Sequence, residues 1–237
     1  MNGILRIMKL VSLNLRFGGQ NRTDSILNYL MDHDADLLVL GEYQDNKNGL
    51  KIKETLKKEG FTCKTSDDDL LGVLVASKYP YSLIRREKRL IGIELSDSKL
   101  TVLGVYVPTG SNDKRFKAAV WQKILKFAQE NRNTPCIITG DFNSCTKDDS
   151  MNRSHYSADE LEKLINMGWI DVWGRYNDTD SERYTWYSDY GNGFRFDYVF
   201  ISPELAKTID IKQVYHDSKK REEGMSDHSP LILDFKF

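Results

Sequence analysis

Short apolar runs alternate with amphipathic stretches along the whole chain. Residues 7–15 alternate apolar and polar side chains, which predicts a strand, and residues 23–32 predict the helix after it. Leu37, Leu38, Val39 and Leu40 form an unbroken apolar run, the pattern of a strand covered on both faces. Residues 50–58 predict a helix that stops at Gly60. Two further strands, 72–76 and 100–107, flank a charged segment at 85–89 that reads as surface. Phe116, Ala119, Val120, Ile124, Phe127 and Ala128 recur at three- and four-residue spacing and mark one buried helix face. After Pro135, Cys136-Ile137-Ile138 opens another buried strand. Ser157 and Glu160 form a capping box for a helix over 157–165. Ser202-Pro203 reads as N-cap and first helical residue after a strand at 196–201, and 231–235 predicts the last strand.

Strands interleaved with helices make this an α/β chain, and no repeat or Gly/Ser linker divides it, so one domain over 1–237 is expected. A hydrophobic share of 40% with 29% charged residues excludes wholesale disorder. No apolar run approaches the roughly 18 residues of a membrane span. Lys+Arg 34 against Asp+Glu 35 leaves net −1, so any affinity for nucleic acid has to come from a local basic groove. Three cysteines, Cys63, Cys136 and Cys145, lack the spacing of a disulfide framework, and the first residues lack a signal-peptide pattern. A reduced, cytoplasmic monomer is the expectation.

Polar clusters sit where the strands end. Asn14 closes the first strand, Glu42 follows the apolar run, and Tyr106-Val107-Pro108-Thr109-Gly110 and Gly140-Asp141-Phe142-Asn143 end two others. Arg195-Phe196-Asp197-Tyr198 opens a late strand, and Ser226-Asp227-His228-Ser229-Pro230 precedes the last. Loops at strand ends carry chemistry because the sheet fixes their position. Each cluster taken singly has a structural reading: a turn, a strand-end cap, an ion pair, a satisfied histidine. A carboxylate beside a buried strand nevertheless needs a partner, and an acid next to His228 would fix its tautomer and favour its charged form.

Taken together and in this order, the six clusters resemble the endonuclease/exonuclease/phosphatase superfamily over nearly the whole chain. The resemblance implies a DNase I-like fold: a four-layer α/β sandwich of two packed, mostly antiparallel β-sheets flanked by helices. Tyr106-Val107-Pro108-Thr109-Gly110, the Gly168-Trp169-Ile170-Asp171-Val172-Trp173 run and Thr185-Trp186 look most like the exonuclease III and apurinic endonuclease branch. Leu13, Arg16, Gly41 and Phe194 depart from that branch's usual residues, and Arg16 looks more like DNase I.

The resemblance implies Mg²⁺, with Mn²⁺ as a possible substitute, bound by Glu42 with Asn14 and Asp227. A divalent ion offsets the charge that makes a phosphodiester resist attack, and a hard ion suits few carboxylates and several waters. Asp141 and Asn143 would align the attacking water, Tyr106 would touch the phosphate, and His228 paired with Asp197 would donate to it or act as base. Arg195, Lys114, Lys219, Lys220 and Trp186 are the candidates for holding substrate. Hydrolysis of DNA is the expected activity. The alternatives are a phosphatase or phosphodiesterase on a small molecule or lipid headgroup, and a non-catalytic nucleic-acid binding module.

Overall fold

The structure is a computed structural model that describes residues 7–68, 70–111, 113–177 and 182–237. The chain start read above for a signal segment lies mostly outside the described residues. The first half runs β1 (Met8–Asn14), α1 (Thr23–Asp32), β2 (Leu37–Tyr43), α2 (Lys47–Lys58), β3 (Thr62–Thr65), β4 (Gly72–Ser77), β5 (Tyr81–Glu87), β6 (Leu90–Leu95) and β7 (Thr101–Tyr106). It continues with α3 (Lys114–Asn131), β8 (Cys136–Asp141), α4 (Ala158–Asn166), β9 (Ile170–Asp171) and α5 (Val172–Tyr176). Then come β10 (Trp186–Tyr187), β11 (Gly193–Phe194), β12 (Asp197–Ile201), β13 (Asp210–His216), α6 (Ser218–Glu222) and β14 (Leu231–Lys236).

Two six-stranded sheets result, ordered β13-β14-β1-β2-β4-β3 and β5-β6-β7-β8-β12-β9. In each, the described pairings are antiparallel except one: β1 with β2, and β7 with β8. Those parallel pairs are the ones bridged by long connections through α1 and α3, as parallel neighbours require. Leu10, Val39 and Val75 of the first sheet meet Ile93, Val102 and Ile137 of the second in the central core. The outer faces are covered by helices. Ile26, Leu30, Ile52 and Leu56 of α1 and α2 pack on the first sheet, and Val120, Trp121, Ile124 and Leu164 of α3 and α4 pack on the second. Four layers follow, as the resemblance implied. Burial on both faces explains why β4, β7 and β8 are apolar without alternation.

Several expectations are corrected. The segment 85–89 is no featureless surface. Its first residues belong to the edge strand β5, which has no fully buried residue, and Arg89 makes the turn into β6. The capping box does not form. Ser157 has a left-handed backbone (φ 45°), whereas a capping hydroxyl needs an extended one, and its side chain makes no bond to α4. Ser202 Oγ accepts from Leu205 N at 3.1 Å, but only a three-residue 3-10 turn, Leu205–Lys207, follows, and its N-cap is Glu204. Among the described residues no helix is long and apolar enough to cross a membrane.

Candidate active site

One end of the two sheets gathers the polar clusters. Asn14, the last residue of β1, lies beside Gly41 of β2, and Glu42 follows at a β-bulge where the β2–β4 register shifts between Gly41 and Tyr43. A bulge re-aims a side chain that would otherwise enter the core, and here it holds Glu42 at φ 53°. In the second sheet, Tyr106 of β7, Asp141 of β8 and Asp197 of β12 occupy one register row. Gly140 precedes Asp141 at φ 144°, and a Cβ there would lie 2.0 Å from the Val105 carbonyl oxygen, so only glycine permits this approach. Asn143 closes the motif in a left-handed backbone, φ 44°. Four non-glycine positions at one site, Arg16, Phe17, Glu42 and Asn143, thus have positive φ, the kind of local strain that concentrates at functional sites.

Hydrogen bonds join the two sheets. Asn14 Nδ2 donates to Glu42 Oε1 at 3.1 Å and to Asp141 Oδ2 at 2.9 Å. Glu42 also accepts from the Tyr106 hydroxyl at 3.1 Å and the Phe17 N–H at 2.7 Å. Asn143 donates to Asp141 from its backbone and its amide, at 2.8 and 2.9 Å. His228 Nδ1 lies 2.8 Å from Asp197 Oδ2, and its Nε2 lies 3.9 Å from Asp141 Oδ2. Burial alone would lower the His228 pKa, yet the charges of Asp197 and Asp141 outweigh it and push it up to about 10. Asp141 is raised, by burial first and by Asp197, with His228 opposing. Burial and the charges of Glu42 and Asp141 raise Tyr106 far above the ordinary phenol value, so it stays a neutral donor.

The expected catalytic residues Tyr106, Asp141, Asn143, Asp197 and His228 are therefore brought together, with Glu42 beside them. Asn14 Oδ1 accepts from Arg16 N at 2.8 Å, while its nitrogen faces inward and holds two carboxylates. Asp227 is partly exposed, with Oδ2 3.6 Å from Arg16 Nε. Asp141, Asp197 and His228 offer ligand atoms within 4.8 Å of one another, a group that could bind a metal ion.

The substrate candidates fare differently. Arg195 is buried, with Nε on Asp149 at 2.8 Å and both terminal nitrogens on Asp171 at 2.9 and 2.6 Å. Its donors are consumed by two carboxylates, so it ties β12 to its neighbours and does not face substrate. Trp186 packs its ring against Phe194 and Phe196, with centroids 5.9 and 5.7 Å away. Lys219 and Lys220 pair with Glu223 at 3.8 and 2.8 Å on α6. Lys114 keeps an open position beside Thr109 and Gly110. Arg221, grouped in sequence with the two lysines, instead lines a cleft of ≈ 500 Å³ with Arg16, Tyr187 and Asp227.

Three positioning residues escaped the sequence reading. Lys117 is buried, and its ammonium donates to Asn143 O at 2.6 Å and Thr109 O at 3.3 Å. Arg89 lies 4.8 Å from the Tyr106 ring centroid and 3.3 Å from Asp68. Thr185 Oγ1 accepts the N–H groups of Phe196 and Asp197, and its carbonyl accepts Ser229 N, which locks the Asp197 and His228 segments together. The Thr185-Trp186 pair was the only sequence signal for it.

Residues 11–228 match the profile described as the Endonuclease/Exonuclease/phosphatase family. The chain belongs to that family. Membership in it makes the chain a phosphoester hydrolase. The fold is shared with solved structures. A 3′-5′ exonuclease (NExo) from Neisseria meningitidis is 23% identical at TM-score 0.79, covering 97% of this chain and 100% of that one. An AP endonuclease from Archaeoglobus fulgidus is 21% identical at TM-score 0.76, covering 95% and 98%. TDP2 from D. rerio, complexed with a single-strand DNA product, is 17% identical at TM-score 0.74, covering 98% and 99%. No curated protein matches the chain.

Proposed function

We propose that the chain is a Mg²⁺-dependent phosphodiesterase that cleaves DNA by in-line attack of a water. One observation carries the reading: Asp141 and Asp197 of the second sheet hold a single imidazole protonated, and Asn14 of the first sheet ties Asp141 to Glu42. The D. rerio TDP2 and NExo structures with product DNA support the choice of substrate by analogy of fold.

Glu42 fits a hard divalent ion. Both its oxygens accept only from neutral donors, and among the described residues no lysine or arginine pairs with it, so its charge calls for a cation. The Asp141, Asp197 and His228 group is a poorer host, because an imidazolium has no lone pair to give a metal. We therefore assign Glu42 as the principal ligand, with Asp227 contributing and Asn14 holding Glu42 in place. Bound there, the ion would neutralise phosphate charge. Asp141 would align the water and take its proton, oriented by Asn14 and Asn143. His228, kept charged, would donate from Nε2 to a phosphate oxygen, and the Tyr106 hydroxyl would position the phosphate. A protonated His228 favours Asp141 as the base.

Rates measured against Mg²⁺ for the wild type and Glu42→Gln test this. The variant should need at least roughly 10- to 100-fold more metal, the range seen when even supporting contacts of a metal are lost. An unchanged requirement would sink the assignment. Plain DNA, abasic DNA, RNA, an inositol phosphate and a lipid headgroup, assayed side by side, test the substrate. Turnover of a small phosphoester without DNA cleavage would replace DNA in this reading.

A further inference from the structure

The chain leaves β1 through an unusual turn. Arg16, Phe17, Gly18, Gly19 and Gln20 have φ of 50°, 55°, 69°, 80° and 45°, a run of consecutive left-handed residues of which three are not glycine. Such runs are disfavoured for L residues, so the turn persists only if its surroundings determine it. They do. Arg16 N donates to Asn14 Oδ1 at 2.8 Å, Phe17 N to Glu42 Oε2 at 2.7 Å, and Gly19 N to Leu15 O at 2.9 Å. Arg22 holds the Arg16 carbonyl at 2.6 Å, and Thr23 and Asn48 hold that of Gln20 at 2.8 and 3.1 Å. A Cβ on Gly18 would come within 2.9 Å of Gln44, so the turn is also packed against its neighbour.

All this fixes one large side chain in solvent. Phe17 is 53% exposed, though its own N–H is tied to Glu42. Arg16, on its other side, lines the cleft with Asp227, Tyr187 and Arg221. A lone exposed aromatic is ordinary on a flexible loop. Here the backbone is strained and pinned by two residues of the site, which is how a contact surface is pre-organised. Its face is flat, apolar and uncharged, at the distance from Glu42 that one residue allows.

We propose that Phe17 is a stacking platform for the nucleobase next to the phosphate under attack. The proposal rests on the nuclease reading above and goes beyond it by naming what recognises the base. Stacking needs only a π-face, so recognition would tolerate any base and would be lost where the base is missing.

Fluorescence anisotropy with Ca²⁺ in place of Mg²⁺ measures binding of a short single-stranded DNA and of the same strand carrying base-free sites. The wild type should prefer the base-bearing strand by roughly 5- to 150-fold, the range of one stacked base. That preference should collapse in Phe17→Ala and Phe17→Leu and persist in Phe17→Trp, with thermal midpoints confirming that each variant is folded. No preference in the wild type, or one that survives Phe17→Ala, overturns the proposal. Hydrolysis of bis(4-nitrophenyl) phosphate by the wild type with Mg²⁺ reads the enzymatic assignment separately. Turnover without a base preference rejects Phe17 alone, whereas a Phe17-dependent preference without turnover keeps the base contact but rejects the Mg²⁺-dependent phosphodiesterase reading on which its place beside the attacked phosphate rests.

Discussion

His228 sits between two buried carboxylates, and the short contact to Asp197 fixes which nitrogen faces the reaction. Asp197→Asn keeps the size of the partner but removes the charge that holds the imidazole protonated and oriented. His228→Ala should lower kcat by roughly 100- to 10,000-fold, the usual worth of a positioned acid or base, and Asp197→Asn should approach that loss. The double variant should be little slower than either, because the two act as a unit. Multiplying losses would mean that they act independently. At this scale the sequence was most informative where a residue touches the reaction, since chemistry restricts its type and its motif neighbours are local. It was least informative where a common residue acts at a distance. Arg195 stands between two motif residues, yet its partners Asp149 and Asp171 lie far off in the chain. No spacing distinguishes a guanidinium consumed by carboxylates from one aimed at phosphate.

Elements were legible to the extent that burial wrote a period into them. Helix α1 and strand β4 match their apolar patterns to within a residue because both bury a defined face. Strands β3, β5 and β13 are half-exposed, so they carry a mixed pattern that reads as loop. The same limit hid Lys117, whose place in the first turn of α3 beside Lys114 and Arg115 gives no sign of burial. Its ammonium joins the loop after β7 to the loop after β8 through two carbonyls. Burial lowers its pKa, with the charge of Asp141 opposing. Lys117→Met keeps the stem and removes both charge-assisted bonds, worth about 1.5–3 kcal/mol each. Asn143, already in a left-handed backbone, would lose its anchor. We expect kcat to fall by roughly 10- to 100-fold with little change in KM, and Lys117→Arg to recover part of it. Combined with Asn143→Ala, Lys117→Met should add almost nothing. A loss of thermal stability with kcat intact would assign Lys117 to folding alone.

Across the whole molecule, the edge of the first sheet is joined to the second through a stack of His216 on Trp173. The ring centroids are 4.9 Å apart and the planes 7° from parallel. His216 lies in β13 and Trp173 in α5, which packs beside β12. Burial depresses the His216 pKa to about 3, with Arg195 and Arg221 adding to the shift and the Glu182 carbonyl and Asp149 opposing it. The imidazole is neutral when folded and charges on unfolding below its ordinary value of 6.5. Between pH 6.5 and about 3 the unfolded chain therefore binds more protons, and stability falls as pH falls, by up to about 1.4 kcal/mol per pH unit. His228, raised, is already protonated when folded, so it gives the opposite slope around pH 6.5, which fades as the unfolded chain protonates below it. Asp141, raised, gives the opposite slope, and Asp149, lowered, adds to the acid loss only near and below 3.8. His216→Phe preserves the stack and leaves those groups in place, so the difference between the two proteins isolates His216. Urea unfolding at pH 7, 6, 5 and 4.5 should show wild-type stability declining more steeply than that of His216→Phe. The gap between the curves should change by about 1 kcal/mol per unit below pH 6. Parallel curves would mean that His216 titrates alike in both states and that acid weakens the fold elsewhere.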